Sequence, residues 1–269
     1  MKKVAFLNLS YNAFNKNDVW KDFFDQGSNS EYNQNSFNLY IHPKDDSQCV
    51  FSDYFIDNRV ETGWGHFSLV EATIELMKAA LEDEDNEYFT IISDSHVPLY
   101  SLDDVIKLIE KKYSKMTFST HGAISTKQKS QRVLKYGIQK NRLKLLNCNY
   151  FNFYNAVCQF FVCRRKDAIQ FIETFDHFSQ FFVKNEIIFA DEFYFWAVAR
   201  ELKMDFDIGQ ASTYADWHEY PIEGTNKITR QPREMKYLNS LVLKTLRDQG
   251  FLFARKVMPT TEISADIFN

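Results

Sequence analysis

Two pairs of neighbouring ionisable residues are best suited to chemistry: Asp191-Glu192, and Arg255-Lys256 near the end of the chain. The apolar periodicity over 190–200 predicts a helix that Asp191 and Glu192 would open. There the positive end of the helix dipole favours ionised carboxylates. An ionised, positioned carboxylate is what a general base for a hydroxyl nucleophile requires. The plainer reading is that Asp191 caps the helix and Glu192 sits in water. Arg255 and Lys256 end the apolar run that starts at Gly250. Fixed cations aimed at a leaving phosphate do work that a metal ion does elsewhere. A strand leaving the core for solvent explains the same two residues. Asp216-Trp217 and Trp64 offer hydrogen bonds and flat apolar faces to a sugar ring, although each also fits a packed aromatic.

A third cluster follows the run Tyr88-Phe-Thr-Ile-Ile92, which predicts a buried central strand. Ser93, Asp94, Ser95 and His96 come where that strand ends, and Pro98 closes them. Ligands of open α/β sheets sit in the crevice at the carboxyl ends of strands, so these four residues are candidates to line one. Asp205-Phe206-Asp207 is nominally the carboxylate pair that holds a divalent ion on a nucleotide sugar, but it reads more simply as a surface turn. A glycine-rich phosphate loop, a Gly-x-Ser-x-Gly elbow and a His-Glu-x-x-His motif are all absent.

The elements that must position these residues alternate along the chain. Strands are predicted at 3–9, 37–41, 49–51, 88–92, 115–120, 156–163, 212–217 and 250–257. Helices are predicted at 18–26, 68–82, 101–112, 167–182 (with a break allowed), from 190, and 233–247. Ser101, with Asp103 and Asp104 in the following turn, marks a helix start. The alternation predicts an α/β class with a mostly parallel sheet, and no linker or repeat divides residues 1–269 into more than one domain.

With 269 residues, 45% hydrophobic and 25% charged, the composition is that of a globular protein, and 26 Phe make its core aromatic. A net charge of −4 argues against a nucleic-acid partner. The basic stretch over 121–150 reads first as a solvated face and second as a surface for phosphates. Four cysteines without metal or CxxC spacing read as reduced core thiols. The N-terminal apolar run breaks at Asn8, and no stretch of 18 apolar residues occurs, so the expectation is a cytoplasmic protein without a membrane span.

Seven segments in order resemble motifs of the Core-2/I-branching β-1,6-N-acetylglucosaminyltransferase family, most closely its plant-type members (glycosyltransferase family 14-like). Residues 3–9 resemble the family's opening strand. Tyr40-Ile-His-Pro43 is similar to "YVHA", and the segment over 60–72, with Gly63-Trp-Gly65 and Ser68, to "WG…S.V.A". Residues 89–100 resemble "LLSESCIPLY", and Asp191-Glu-Phe-Tyr194 resembles "DEHY". Thr213-Tyr-Ala-Asp-Trp217 resembles "TYVDW", and Phe251-Leu-Phe-Ala-Arg-Lys256 resembles "FLFARKF".

The resemblance implies a GT-A type Rossmann-like fold and an inverting, metal-independent transfer. The sugar, GlcNAc or xylose, would pass from a UDP-sugar to a glycan hydroxyl, with no cofactor. It makes Glu192 the catalytic base and puts Lys256 on the donor diphosphate, with Arg255 or Arg230 beside it. Asn8, His42 and Trp64 would hold the nucleotide. Asp94, Asp216 and Trp217 would meet sugar or acceptor. Family members usually carry a membrane anchor and lumenal disulfides, neither of which is evident here, and the 121–150 segment does not match. A microbial or viral relative acting in a cytosol, a host's if viral, is the resulting expectation. The alternative is a non-catalytic carbohydrate- or nucleotide-sugar-binding protein on the same fold.

Overall fold

The computed structural model describes residues 2–26, 35–46, 50–119, 157–184, 186–187, 189–218, 220–221, 228–229 and 232–268. The predicted basic stretch over 121–150, which joins the strands predicted at 115–120 and 156–163, falls outside them, as do Cys49, Cys148 and Arg230. The central sheet is built first from β1 (Lys3–Ser10), β2 (Phe37–Pro43) and β3 (Asn86–Ser93). These three are parallel, with β1 in the middle. The other half holds β5 (Met116–Phe118), β6 (Val162–Arg164) and β7 (Phe206–Ile208), and the order is β2-β1-β3-β6-β5-β7. β6 runs antiparallel to both neighbours, so the sheet is mixed but mostly parallel.

Period-two side-chain alternation divides the core into two layers. Val4, Phe6, Tyr88 and Ile92 face one side, together with Trp20, Phe23 and Phe24 of helix α1 (Asn17–Asp25) and Val105, Ile106 and Ile109 of helix α3 (Leu102–Lys112). Ala5, Leu7, Phe89 and Ile91 face the other, against Val70, Ile74 and Met77 of α2 (Ser68–Leu81). Phe171 of α4 (Arg165–Glu173), Phe182 of α5 (Phe175–Lys184) and Phe195 of α6 (Tyr194–Glu201) complete that layer. Both faces being covered explains why β1 and β3 read as continuous apolar runs. Phe6 is fully buried with Phe23, Phe24, Phe37 and Phe253 edge-on around it. Truncating such a phenylalanine costs about 3–5 kcal/mol. Ser101 caps α3 as expected, its Oγ accepting from Asp104 N at 3.3 Å.

A second, three-stranded sheet lies across the carboxyl end of β3. It consists of β4 (Val97–Pro98), β12 (Phe253–Arg255) and β8 (Thr213–Ala215), with β12 central. A short antiparallel pair, β9 (Tyr220–Pro221) and β10 (Ile228–Thr229), precedes β11 (Met235–Leu238), which lies parallel to β13 (Val257–Ile263).

Several expectations are corrected. The helix expected over 233–247 is β11 followed by α7 (Ser240–Asp248), because Met235, Tyr237 and Leu238 pair with β13 and Asn239 caps α7 through Val242 N at 3.0 Å. The strand expected over 250–257 divides into β12 and β13. The strand expected over 156–163 reaches the sheet only at Val162. The helix allowed a break is α4 and α5, separated at Thr174. Near the expected strand 49–51, the described residues form a 3₁₀ turn at Ser52–Tyr54.

Candidate active site

The loops after β1 and β3 and the junction of β12 with β13 are joined by hydrogen bonds into one surface. Asn15 N donates to Asp94 O at 2.8 Å, and Tyr11 N to Asp94 Oδ2 at 3.3 Å. Val257 N donates to Ser95 O at 2.8 Å, while Asn15 Nδ2 donates to Val257 O at 2.8 Å. His96 supports the turn from within. Its Nδ1 accepts from Ser93 N at 3.0 Å, its carbonyl accepts from Trp20 Nε1 at 2.8 Å, and its ring meets Phe160 at 4.4 Å. Burial holds His96 well below the usual histidine range, with the nearby Arg255 charge acting the same way. It is therefore a neutral scaffold residue, and because Nδ1 accepts a backbone N–H, the ring proton belongs on Nε2.

Arg255 is the electrostatic centre. Its register places it beside Ala215 in β8, and its guanidinium carbon lies 4.5 Å from the centre of the Phe160 ring. Burial lowers its pKa, opposed by Cys158 once its sulfur ionises in base and by the Asp94, Asp191 and Glu192 carboxylates. Three carboxylates from two segments thus share one buried cation, which stays charged because guanidinium deprotonates only in strong base. Arg255 Nε and Asp191 Oδ1 are both buried without a hydrogen-bond partner. Burial pushes the Asp191 carboxyl up to about 6, although backbone N–H groups and Arg255 pull the other way. Asp94 is also raised, by burial first, with the N–H groups of Tyr11 and Ser95 and the cations Arg255 and Lys256 opposing. Cys158 is pushed up to about 11 by burial and stays a thiol.

Glu192 arrives on a single 3₁₀ turn, Ala190–Glu192, rather than in the first turn of the expected helix, which begins at Tyr194. The turn follows Phe189 in the left-handed region at φ 54°. Three backbone bonds hold it: Phe189 N to Gly65 O at 2.7 Å, Glu192 N to Phe189 O at 3.0 Å and Val157 N to Glu192 O at 2.9 Å. The dipole argument for Glu192 accordingly gives way to the neighbouring Arg255 as the local source of positive potential.

The remaining expected site residues divide. Lys256 stands at the rim, with Nζ 3.6 Å from Glu234 Oε1, and its charge reaches Asp94. Asp216 directly follows β8, one residue beyond the Ala215 that pairs with Arg255. Burial raises Asp216, but hydrogen bonds from His218 N (3.0 Å) and Nδ1 (2.6 Å) and the Arg233 charge outweigh it and lower its pKa. Trp217 is 41% exposed. Trp64 is 75% exposed and stands edge-to-face with Phe189 at 4.9 Å. Asn8 and His42 are fully buried. Asn8 Nδ2 donates to Ala13 O at 3.1 Å, and His42 Nε2 accepts from Val60 N at 3.0 Å. Their side chains hold loops in place of facing a solvent-borne nucleotide. Asp205 precedes β7 at the far sheet edge and pairs with Lys115 at 2.8 Å, as a surface turn would. Among the described residues, no cluster of three His, Cys, Asp or Glu side chains is placed to hold a metal ion.

Sequence reasoning missed Tyr11, Phe160 and Glu234. Tyr11 is 56% exposed beside Asp94, with Lys44 Nζ 5.9 Å from its ring centre. Its place after the first strand was the available signal.

The loops after β1 and β3, the Ala190–Glu192 turn and the β12 strand end thus meet around Arg255 at the carboxyl side of the sheet, where open α/β folds place their ligands. The chain matches the Core-2/I-branching enzyme family over residues 4–244, and it belongs to that family. The match includes Asp94 and Glu192 and stops short of Arg255 and Lys256. The chain is also 32% identical over 107 residues to glycosyltransferase BC10 of Oryza sativa subsp. japonica, a stretch that is 37% of this chain and 26% of the rice protein. The rice protein is named a glycosyltransferase, and the matched stretch spans about a quarter of its length. Among the described residues, no helix is long and apolar enough to cross a membrane.

Proposed function

We propose that the protein is an inverting glycosyltransferase that moves a sugar from a UDP-sugar to a hydroxyl of a glycan acceptor without a divalent metal. The observation that carries this reading is the convergence of Glu192 and Asp94 on Arg255, with Lys256 close enough to act on Asp94. The Glu192 carboxylate accepts the acceptor's hydroxyl proton. The freed oxygen attacks the anomeric carbon from the face opposite the diphosphate, and the bond from that carbon to the diphosphate oxygen breaks. Lys256 stabilises the charge that develops on the diphosphate, and Arg230 is the candidate to assist it. Arg255, too buried to serve as an open clamp, keeps Glu192 and Asp191 in a positive field. Asp94 and Asp216 orient sugar hydroxyls. GlcNAc and xylose are the donors this reading favours. A reducing, cytoplasmic setting belongs to the same reading and is supported by Cys158 and Cys163 being free thiols.

The test is Glu192→Gln assayed with a panel of UDP-, GDP- and CMP-sugars. Release of UDP should fall by at least about a hundredfold, the lower end of what a general base contributes. Thermal stabilisation by the donor should persist, since bound ligand raises stability by mass action. Full activity in the variant would remove Glu192 from the chemistry. Activity lost to a chelator and restored by Mn²⁺ would overturn the metal-free mechanism. Donor binding by the wild type with no UDP release would favour a non-catalytic binding protein.

A further inference from the structure

Trp64 is a large apolar side chain left 75% exposed on a loop that is firmly held. Gly63 N donates to Ser68 Oγ at 3.1 Å, Val60 N to His42 Nε2 at 3.0 Å and His66 N to Gly63 O at 3.0 Å. Gly65 takes φ +75°, and its backbone lies so close to Phe189 that a Cβ would sit 2.9 Å from Cε1 of that ring. Gly65 O accepts from Phe189 N at 2.7 Å, and the Trp64 ring meets the Phe189 ring at 78°. The indole is thus displayed by design of the loop, with its surface facing solvent rather than the core. Glu192 lies three residues on from Phe189 along the 3₁₀ turn, a rise of about 6 Å, comparable to one pyranose ring.

In an inverting displacement the nucleophile and the leaving group lie on opposite faces of the transferred sugar. The cations lie on the β12–β13 side, whereas Trp64 is joined through backbone to the turn that carries the base. We propose that Trp64 is the stacking platform for a pyranose ring of the acceptor, not a nucleotide contact, and that the Gly65–Phe189 bond makes platform and base one unit. This rests on the glycosyltransferase reading, which assigns the base. Aromatic faces take the C–H surface of a sugar while its hydroxyls stay available, which leaves one hydroxyl free to reach Glu192.

Tryptophan fluorescence tests it, because Trp20 and Trp196 are fully buried and only Trp64 and Trp217 can meet solutes directly. The probes are methyl β-glycosides of galactose, N-acetylgalactosamine, glucose and xylose. At least one should change the emission saturably, and the response should vanish in Trp64→Phe and survive in Trp217→Phe. Calorimetry should show the same glycoside weakened about tenfold by Trp64→Ala and less by Trp64→Phe, while UDP still stabilises both variants thermally. Absence of a saturable response to all four probes, or a response carried by Trp217, overturns the proposal. So does loss of UDP stabilisation in the folded Trp64→Phe variant, which would give the indole to the nucleotide. A glycoside response on Trp64 in a protein that neither binds UDP nor releases it from UDP-sugars supports the platform and removes the transferase reading instead.

Discussion

Replacing Asp191 by asparagine should stabilise the protein at neutral pH and leave its stability unchanged in acid. The Asp191 carboxyl is raised from 3.8 to about 6, chiefly by burial, and its Oδ1 has no hydrogen-bond partner. A rise of about two units corresponds to roughly 3 kcal/mol of preference for the protonated form in the folded state. Because the folded value exceeds the unfolded one, the folded state binds the extra proton. That contribution is complete below pH 4 and is lost as the pH rises through 6. Asparagine keeps the shape of the neutral acid at every pH. Its advantage over the wild type should therefore grow from near zero at pH 4 to as much as about 3 kcal/mol at pH 7, less the cost of any unpaired amide N–H. Urea unfolding of both proteins at pH 4.5, 5.5, 6.5 and 7.5 measures it, and carboxylates common to the two cancel in the difference. A difference independent of pH, or one that grows towards acid, refutes the reasoning.

Arg255→Met should leave Asp94, Asp191 and Glu192 without their shared cation. Carboxylates then ionise at higher pH, so the acidic limb of kcat/KM should move to higher pH and activity should fall more at pH 6 than at pH 8; an unmoved limb would separate Arg255 from the base. Gly65→Ala should destabilise the chain by about 1–3 kcal/mol, through its positive φ and the 2.9 Å approach to Phe189, and should lower UDP release from UDP-sugars because the same contact holds the Glu192 turn. Lys256→Met should weaken UDP binding roughly tenfold to a hundredfold, the range for a charge-assisted contact, with inorganic phosphate competition losing its effect in parallel.

The central strands were legible because burial on both faces leaves uninterrupted apolar runs, as in Val4 to Leu7 and Tyr88 to Ile92. The α3 start was legible because Ser101 is a local cap whose partner lies three residues on. Motif order singles out Glu192 and Lys256, but it says nothing of their surroundings. Phe189 at positive φ breaks the helix that the Tyr194–Glu201 periodicity seems to extend backwards, and nothing local marks a phenylalanine for that conformation. Arg255 at a strand end reads as solvent-bound, yet Phe160, about a hundred residues earlier, covers it. Met235 to Leu238 looked helical until β13, a later segment, was there to pair with it. In each case a partner distant in sequence decided the outcome over local preference.

The bonds from Asn15 to Val257 and from Lys16 to Pro259 span 242 and 243 residues. Closing a loop of that size costs about 2–3 kcal/mol more entropy than closing one of a dozen residues. During synthesis the loops after β1 and β3 emerge early, but β12 and the start of β13, which bond to them, emerge well after both. β12 lies between β4 and β8 and brings Arg255 among the three carboxylates. A chain lacking β12 would therefore leave Asp94, Asp191 and Glu192 without the cation they share.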